Sequence, residues 1–328
     1  MSRFRFGRGP GRSELGDPAA YPQSWLYPME GRWLERFRRD VEAARKAGMR
    51  DGVFTRIGDS NMLAFNSFYG LGCREPVWGE QSDRATLEGV IERYRETELP
   101  PGADIPFIHC PSLDERRPFN SFTRVPAAAM MGIVGPHLVR PAEEQGELPH
   151  FWREDPDARN GESPLETELR LTRPLYTLIQ VGSNGMNYGD TPQETADSVA
   201  DLVDRVRAFG SVPVVFSIPP QINHEAAPGR AEYAEEAAML MALTAARERV
   251  PLVNLWLALT TEDMHACGLV EEDGIIFDGV HLETLGSAHQ AGCLERSIDF
   301  RPQALRYGAN FRNLLLLRLL RDLDELAG

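Results

Sequence analysis

Apolar residues recur along the chain with two different spacings, and the two alternate. Short runs in which almost every residue is apolar are typical of strands buried in a parallel sheet, and they occur at 53–57, 175–181, 212–218 and 252–257. Around them, apolar residues three or four positions apart and capping residues predict helices over 31–47, 83–96, 192–209, 231–249 and 311–326. Strands that alternate with helices in this way predict an α/β fold, in which helices cover a parallel sheet.

Two stretches depart from this alternation. Residues 1–30 combine Gly, Pro and aromatic residues and predict an irregular N-terminal arm. Residues 100–164 hold 11 of the 24 prolines, and because proline interrupts helices and strands, they predict either a folded insertion or long loops that shape a pocket. An irregular surface elaboration with no part in catalysis explains the composition equally well. The 328 residues are expected to form one domain, 1–328, that contains both stretches.

The charge balance argues against a nucleic-acid partner. The chain has 35 Lys and Arg against 49 Asp and Glu, a net charge of −14, whereas proteins that hold a phosphate backbone do so largely through Lys and Arg. No apolar run reaches the roughly 18 to 20 residues that span a bilayer, so we expect no stable membrane insertion. The N-terminus lacks the apolar core of a secretory signal. A cytoplasmic protein is expected, or a secreted or periplasmic one if a leader has been removed.

The cysteines predict neither a disulfide framework nor a metal site. They are Cys73, Cys110, Cys267 and Cys293. They form no CxxC pair, so four reduced thiols are the simplest interpretation. His265 with Cys267, and His289 with Cys293, could approach one metal ion, but no second pair with zinc-like spacing accompanies them. No glycine-rich nucleotide loop follows a strand. We therefore expect no metal and no cofactor.

A serine follows the first predicted strand, in the tetrapeptide Gly58-Asp59-Ser60-Asn61. Ligands of open parallel α/β sheets bind outside the carboxyl ends of the strands, which is where a serine in this position would be displayed. Gly58 permits a tight turn and the close approach of a substrate. Alone, Gly-Asp-Ser is weak evidence for a nucleophile, and Asp59 is interpreted as a structural hydrogen-bonding residue.

Two further polar groups follow apolar runs. Asp278 and His281, three residues apart, can face each other, so that the carboxylate orients the imidazole and favours the imidazolium formed when the ring takes a proton from Ser60. Alone, this pattern is better explained as a turn with a capping Asp and a solvated His. Asn184, in Gly-Ser-Asn after the strand 175–181, can donate to a developing oxyanion. Gly and Asn also end strands without any such role.

Together and in this order, the three motifs resemble those of the SGNH hydrolase superfamily, which includes the GDSL-type esterases and lipases. The matching residues are GDSN at 58–61, GSN at 182–184 and DGVH at 278–281. The resemblance implies a three-layer α/β/α sandwich with a five-stranded parallel sheet, a flavodoxin-like fold. It also implies Ser60 as the nucleophile, His281 as the general base and Asp278 as the residue that orients it.

The resemblance further implies an oxyanion hole with three donors. Two are the backbone N–H of Ser60 and the side chain of Asn184, to which Asn187 is the alternative. The third is a glycine N–H, for which Gly132 is chosen and Gly135 is the alternative.

Two positions depart from the family pattern. Asn61 replaces the Leu of the GDSL name, which points away from the plainest lipase-type motif without excluding esterase chemistry. Gly185 replaces the usual Asp of the Gly-x-Asn-Asp motif, so a supporting contact is either missing or supplied elsewhere.

The expected function is hydrolysis of carboxylic esters with short acyl groups, through an acyl-enzyme on Ser60. The partner would be a small-molecule or carbohydrate ester, and the sequence leaves the oligomeric state open. An acyltransferase that uses the same acyl-enzyme is the alternative, with the proline-rich stretch as a surface that excludes water. A binding protein that keeps the fold without activity is a third hypothesis, motivated by Gly185 and by the poorly defined oxyanion glycine.

Overall fold

Four parallel strands form the centre of the fold. The structure, a computed structural model, describes residues 31–64, 66–102, 119–146, 154–260, 279–284 and 296–328. The strands are β1 (Arg50–Gly58), β2 (Pro174–Gln180), β3 (Val212–Phe216) and β4 (Leu252–Val253). They lie in that order in the sheet, and each neighbouring pair is parallel. The carboxyl ends of all four strands therefore point to the same edge.

The prediction of five strands is corrected to four within the described residues, because a short segment takes the place of the fifth. Residues 128–130 lie parallel to the end of β1 and form one bridge, between Gly58 and Ala129. Pro126, which has no N–H to donate, precedes this segment, and Gly132 turns the chain away with a φ of +72°. With the segment counted, the order along the sheet is the 2-1-3-4-5 order of flavodoxin-like folds.

Helices cover both faces of the sheet. In chain order they are α1 (Arg32–Lys46), α2 (Ser60–Leu63), α3 (Tyr69–Cys73), α4 (Arg84–Glu96), α5 (Gly135–Leu138), α6 (Pro164–Thr172), α7 (Gly185–Tyr188), α8 (Pro192–Phe209), α9 (Arg230–Glu248), α10 (Leu255–Leu259) and α11 (Gly308–Ala327). In the part of the chain that the structure describes, none of them combines the length and apolar character needed to cross a membrane.

The sheet separates two apolar cores. Helices α1, α4 and α11 pack with Phe54 of β1 on one face, and α6, α8 and α9 pack with Ile57 on the other. Side chains along β3 likewise alternate between the two cores, as the pleat of a strand requires. This confirms the predicted three-layer α/β/α sandwich.

The long helices begin and end within three residues of their predicted positions because local signals mark their ends. Helix α8, for example, starts at Pro192 after a capping box between Thr191 and Glu194. The predicted strand at 252–257 is wrong after Val253. The side chain of Asn254 there accepts a hydrogen bond from the N–H of Leu257 and starts helix α10.

Cys73 forms a disulfide, which corrects the prediction of four reduced thiols. It is the last residue of α3 and is buried. The other three cysteines lie outside the described residues. Spacing did not reveal the pair because a disulfide between distant cysteines leaves no local pattern.

The proline-rich stretch is described in part, since 103–118 and 147–153 lie outside the described residues, as does the predicted arm at 1–30. A buried ion network joins the described part to β1 and α6. The carboxylate of Glu168 accepts hydrogen bonds from Thr55 Oγ1 at 2.5 Å, Ala127 N at 2.8 Å and Arg124 Nη2 at 3.1 Å. Arg124 also forms a 2.8 Å ion pair with Asp155. The network therefore anchors the residues that lead into the short segment beside β1.

Glu168→Ala is expected to lower the free energy of unfolding by about 3 to 5 kcal/mol, because it removes a carboxylate that pairs a buried cation and accepts a backbone N–H. Urea unfolding measures the loss. The control is Glu88→Ala, which removes an exposed ion pair with Arg84 and is expected to cost less than about 1 kcal/mol. Equal losses in the two variants would contradict the role of the network.

Candidate active site

Ser60 lies in a tight turn at the carboxyl end of β1. The strand ends at Gly58, whose φ is +151°, and a Cβ at this position would lie 1.8 Å from the carbonyl oxygen of Gln180 on β2. Glycine is therefore required there. Asp59 caps α2, and Ser60 is the first residue of that helix. Ser60 is 5 % exposed, so the turn presents its hydroxyl in a sheltered position.

The structure brings His281 against Ser60. The Nε2 atom of His281 lies 2.7 Å from the Oγ atom of Ser60, although 221 positions separate the two residues in the chain. A hydroxyl and an imidazole at this distance can exchange a proton. Asp278, which is predicted to orient the ring, lies outside the described residues.

The loop after β3 supports the segment that carries His281. The backbone N–H of Ile222 donates to the carbonyl oxygen of Gly279 at 3.0 Å. Ile222 lies between the end of β3 and the start of α9. The histidine is therefore joined to the sheet edge from the β3 side as well as through Ser60.

Asp59 ties the turn after β1 to the turn after β2. Its wholly buried carboxylate accepts hydrogen bonds from the backbone N–H groups of Asn61 and Ser183, each at 3.0 Å. Burial raises the pKa of Asp59, and these two hydrogen bonds oppose the rise. The geometry agrees with the structural role predicted for Asp59. The carboxylate holds together the two turns that carry Ser60 and Asn184.

The turn after β2 also holds the turn that contains Gly132. The Nδ2 atom of Asn184 donates to the carbonyl oxygen of Ile133 at 3.2 Å. The hydroxyl of Tyr188 donates to the carbonyl oxygen of Gly132 at 2.8 Å. Gly135, the alternative oxyanion glycine, begins α5 and packs closely against α8. Of the two glycines, Gly132 thus lies in the turn whose carbonyl groups accept hydrogen bonds from Asn184 and Tyr188.

Asn187, the alternative to Asn184, has a different set of contacts. It is exposed, and its Oδ1 atom accepts a 2.7 Å hydrogen bond from Arg230. Arg230 also reaches Gln221, whose side-chain amide donates to the carbonyl oxygen of Ser183. Asn187 therefore helps to hold the loop that supports the β2 turn.

Asn61 has a role that the sequence did not reveal. It is buried, and its Nδ2 atom donates to Ser183 Oγ at 3.2 Å and to the carbonyl oxygen of Val280 at 3.4 Å. A leucine could form neither hydrogen bond. Asn61 thus links the turns that carry Ser60, Ser183 and His281. The available signal was the departure itself, an amide where the family pattern has an apolar residue.

The candidate metal ligands of the sequence all fall in the part of the chain that the structure does not describe. His265, Cys267, His289 and Cys293 are not among the described residues. Within the described ranges, no group of three or more His, Cys, Asp or Glu side chains could hold a metal ion. The side chains that the sheet edge brings together are a hydroxyl, an imidazole and an amide, which acyl-transfer chemistry uses as nucleophile, base and oxyanion donor.

Two solved structures resemble this chain at low sequence identity. No protein-family model matches the chain, and no curated protein matches it. It is similar to a lipase/acylhydrolase from Enterococcus faecalis, with 10% identity and a TM-score of 0.36 over 60% of this chain and 74% of that one. It is also similar to a mutant acetyl-xylooligosaccharide esterase from Geobacillus stearmophilus, with 11% identity and a TM-score of 0.41 over 81% of this chain and 93% of that one.

Asp59→Asn is expected to destabilise the protein by about 1 to 3 kcal/mol, because the amide has one oxygen where the carboxylate has two, and one backbone N–H is left unpaired. Urea unfolding measures this. The control is Asp201→Asn, which removes an exposed ion pair with Arg205 and is expected to change stability little. An unchanged free energy of unfolding in the Asp59 variant would refute the proposed hydrogen-bonded link between the two turns.

The wild type and the Asp59→Asn variant also test the direction of the Asp59 pKa shift. Because the pKa of Asp59 is raised in the folded state, the folded protein binds this proton more tightly than the unfolded chain does. The stability of the wild type relative to Asp59→Asn should therefore be greatest below about pH 4, the ordinary pKa of Asp. It should decrease as the pH rises through the folded-state value.

Proposed function

We propose that the chain is a serine hydrolase of the SGNH type that cleaves carboxylic esters through an acyl-enzyme on Ser60. The observation that carries the proposal is the 2.7 Å contact between Ser60 Oγ and His281 Nε2. It joins the first and last of the three sequence motifs, and it lies at the carboxyl edge of a parallel sheet, where such folds bind their ligands.

In the first half of the reaction, Ser60 Oγ attacks the ester carbonyl carbon while its proton passes to His281 Nε2. The carbonyl oxygen becomes an oxyanion, for which the proposed donors are the backbone N–H of Ser60, the backbone N–H of Gly132 and the side chain of Asn184. The intermediate collapses, and the bond to the alcohol breaks as His281 returns the proton to the leaving oxygen. The acyl group remains on Ser60.

In the second half, a water molecule gives a proton to His281 and attacks the acyl carbonyl, so that the free acid leaves and Ser60 regains its proton. Asp278 is proposed to accept a hydrogen bond from the other ring nitrogen of His281, which would fix the orientation of the ring and favour the imidazolium. One N–H of the Asn184 amide donates to Ile133, so the amide is held in place, and its second N–H is proposed to serve the oxyanion.

Short acyl groups are part of the proposal because the surroundings of the serine are closely packed. Ser60 is 5 % exposed, and the residues that follow it in α2 are fully or almost fully buried. The proposed substrate is a small-molecule or carbohydrate ester with an acetyl-sized acyl group. A series of nitrophenyl esters of increasing acyl length tests this point, and we expect kcat/KM to fall beyond about four carbons.

Ser60→Ala is expected to abolish labelling by a fluorophosphonate and to lower ester hydrolysis by about 10⁴-fold or more, because no other step replaces the covalent intermediate. Mass spectrometry of the labelled peptides should place the adduct on Ser60. The control is Ser211→Ala, a buried serine before β3 that bonds to Thr177 and should label normally. An adduct at another residue, or full activity without the Ser60 hydroxyl, would refute the proposal.

Asn184→Ala is expected to lower kcat by about 10²- to 10³-fold with little change in KM, because an oxyanion donor acts mainly in the transition state. Steady-state kinetics with an acetate ester measure both constants. Asn187→Ala is the matched variant, since it removes an amide three residues away. A larger loss of kcat in the Asn187 variant would reverse the assignment of the two residues.

A further inference from the structure

A buried guanidinium lies behind the turn that carries Ser60. Arg312, in α11, is fully buried, and its Nη1 and Nη2 atoms donate to the carbonyl oxygens of Asn61 at 2.7 Å and Asn66 at 3.1 Å. Burial lowers the pKa of Arg312 to about 9, and the nearby cation of Arg56 adds to this effect. Within the described part of the chain, neither arginine forms an ion pair. Burying a cation costs free energy unless hydrogen bonds compensate the loss of water.

The side chains of Asn61 and Asn66 reach the segment that carries the histidine. The Nδ2 atom of Asn66 donates to the carbonyl oxygen of Leu282 at 2.7 Å, and that of Asn61 donates to the carbonyl oxygen of Val280 at 3.4 Å. These two carbonyl groups lie on either side of His281 in the chain. The backbone is therefore held on both sides of the histidine by side-chain amides from the segment that follows Ser60.

Helix α11 is the common support of both loops. Its second residue, Ala309, donates a backbone hydrogen bond to the carbonyl oxygen of Glu283 at 2.9 Å, just beyond the histidine. One turn later, Arg312 holds the loop of Asn61 and Asn66. Its guanidinium also lies 4.9 Å from the ring centre of Phe68, whose φ of +70° is unusual for a bulky residue and persists only where the surroundings impose it.

We propose that Arg312, Asn61 and Asn66 form a clamp that keeps His281 within hydrogen-bond distance of Ser60. We call these three residues the Arg312 clamp. Arg312 is a positioning residue in this proposal, because it acts on the backbone of the two loops and not on the substrate. The proposal rests on the proposed function, since its purpose is to align a base with a nucleophile.

The clamp has a distinctive kinetic consequence. A displacement of about 1 Å between reacting groups can slow a reaction by about 100-fold. Loss of the clamp moves the imidazole relative to the hydroxyl but leaves the substrate-binding surface in place. It should therefore lower kcat and the rate of fluorophosphonate labelling, while KM stays nearly constant. A residue that serves stability alone would not give this split.

The test compares Asn66→Ala with Asn310→Ala. Asn310 lies in the same helix as Arg312, is fully buried, and donates to the carbonyl oxygens of Arg296 and Asp299. Both variants lose a buried amide with carbonyl partners, and both should be destabilised to a similar extent. We expect kcat with an acetate ester to fall by about 10- to 100-fold in the Asn66 variant and by less than about twofold in the Asn310 variant.

Arg312→Lys provides the second variant. Lysine lacks the forked geometry that serves two carbonyl groups at once, so the expected loss of kcat resembles that of Asn66→Ala. Wild-type kcat in either clamp variant would overturn the proposal. An equal loss of kcat in Asn310→Ala, at a matched loss of melting temperature, would also overturn it.

Hydrogen–deuterium exchange of peptides that contain 279–284 provides a readout that needs no catalysis. Exchange should be faster in the two clamp variants than in Asn310→Ala, and equal exchange in all three would refute the clamp. If the wild type itself neither reacts with the fluorophosphonate nor hydrolyses esters, the proposed function fails. Faster exchange confined to the clamp variants would still support the tie between the loops, so the two failures can be told apart.

Discussion

The candidate chemistry of this chain depends on the parallel direction of its strands. Parallel neighbours deliver their carboxyl ends to one edge, so the turns after β1 and β2 lie side by side. Residues 128–130 bring a third turn to the same edge through the bridge with Gly58. The groups proposed to act on an ester are therefore collected from distant parts of the chain by backbone hydrogen bonds.

Charges buried near this edge are held by the backbone. The Asp59 carboxylate accepts two N–H groups, Arg312 donates to two carbonyl groups, and Arg56 donates to carbonyl groups of the loop after Ser60 and of the proline-rich stretch. Such charges are expensive to bury, and each becomes more expensive when a partner moves away. The electrostatic cost of displacement therefore keeps the turns in fixed positions, whereas apolar packing alone would tolerate small shifts.

Much of the fold could be predicted because its signals are local. The ends of α8 are marked by Thr191, Glu194 and Gly210, and the place of Ser60 and Asn184 follows from their positions after apolar runs. The fifth strand was expected from the family resemblance alone, and residues 128–130 form only a single bridge with the neighbouring β1.

Single long-range contacts could not be predicted from the sequence. In the sequence, Arg312 resembles Arg318 and Arg321, which pair with Asp83 in the same helix bundle, and only the packing shows that Arg312 is fully buried. The amides of Asn61 and Asn66 likewise find their hydrogen-bond acceptors in a loop more than two hundred positions away. Physical proximity of this kind leaves no trace in periodicity or spacing.

The short segment beside β1 also covers part of a strand edge that would otherwise be unpaired. An unpaired strand edge offers N–H and carbonyl groups to any passing chain and invites aggregation. On β1, the N–H of Phe54 donates instead to the hydroxyl of Ser121 at 3.0 Å, and Gly58 is paired on both its polar groups with residues 128 and 130. The proline-rich stretch therefore occupies part of this border of the sheet, where an exposed edge could pair with another chain.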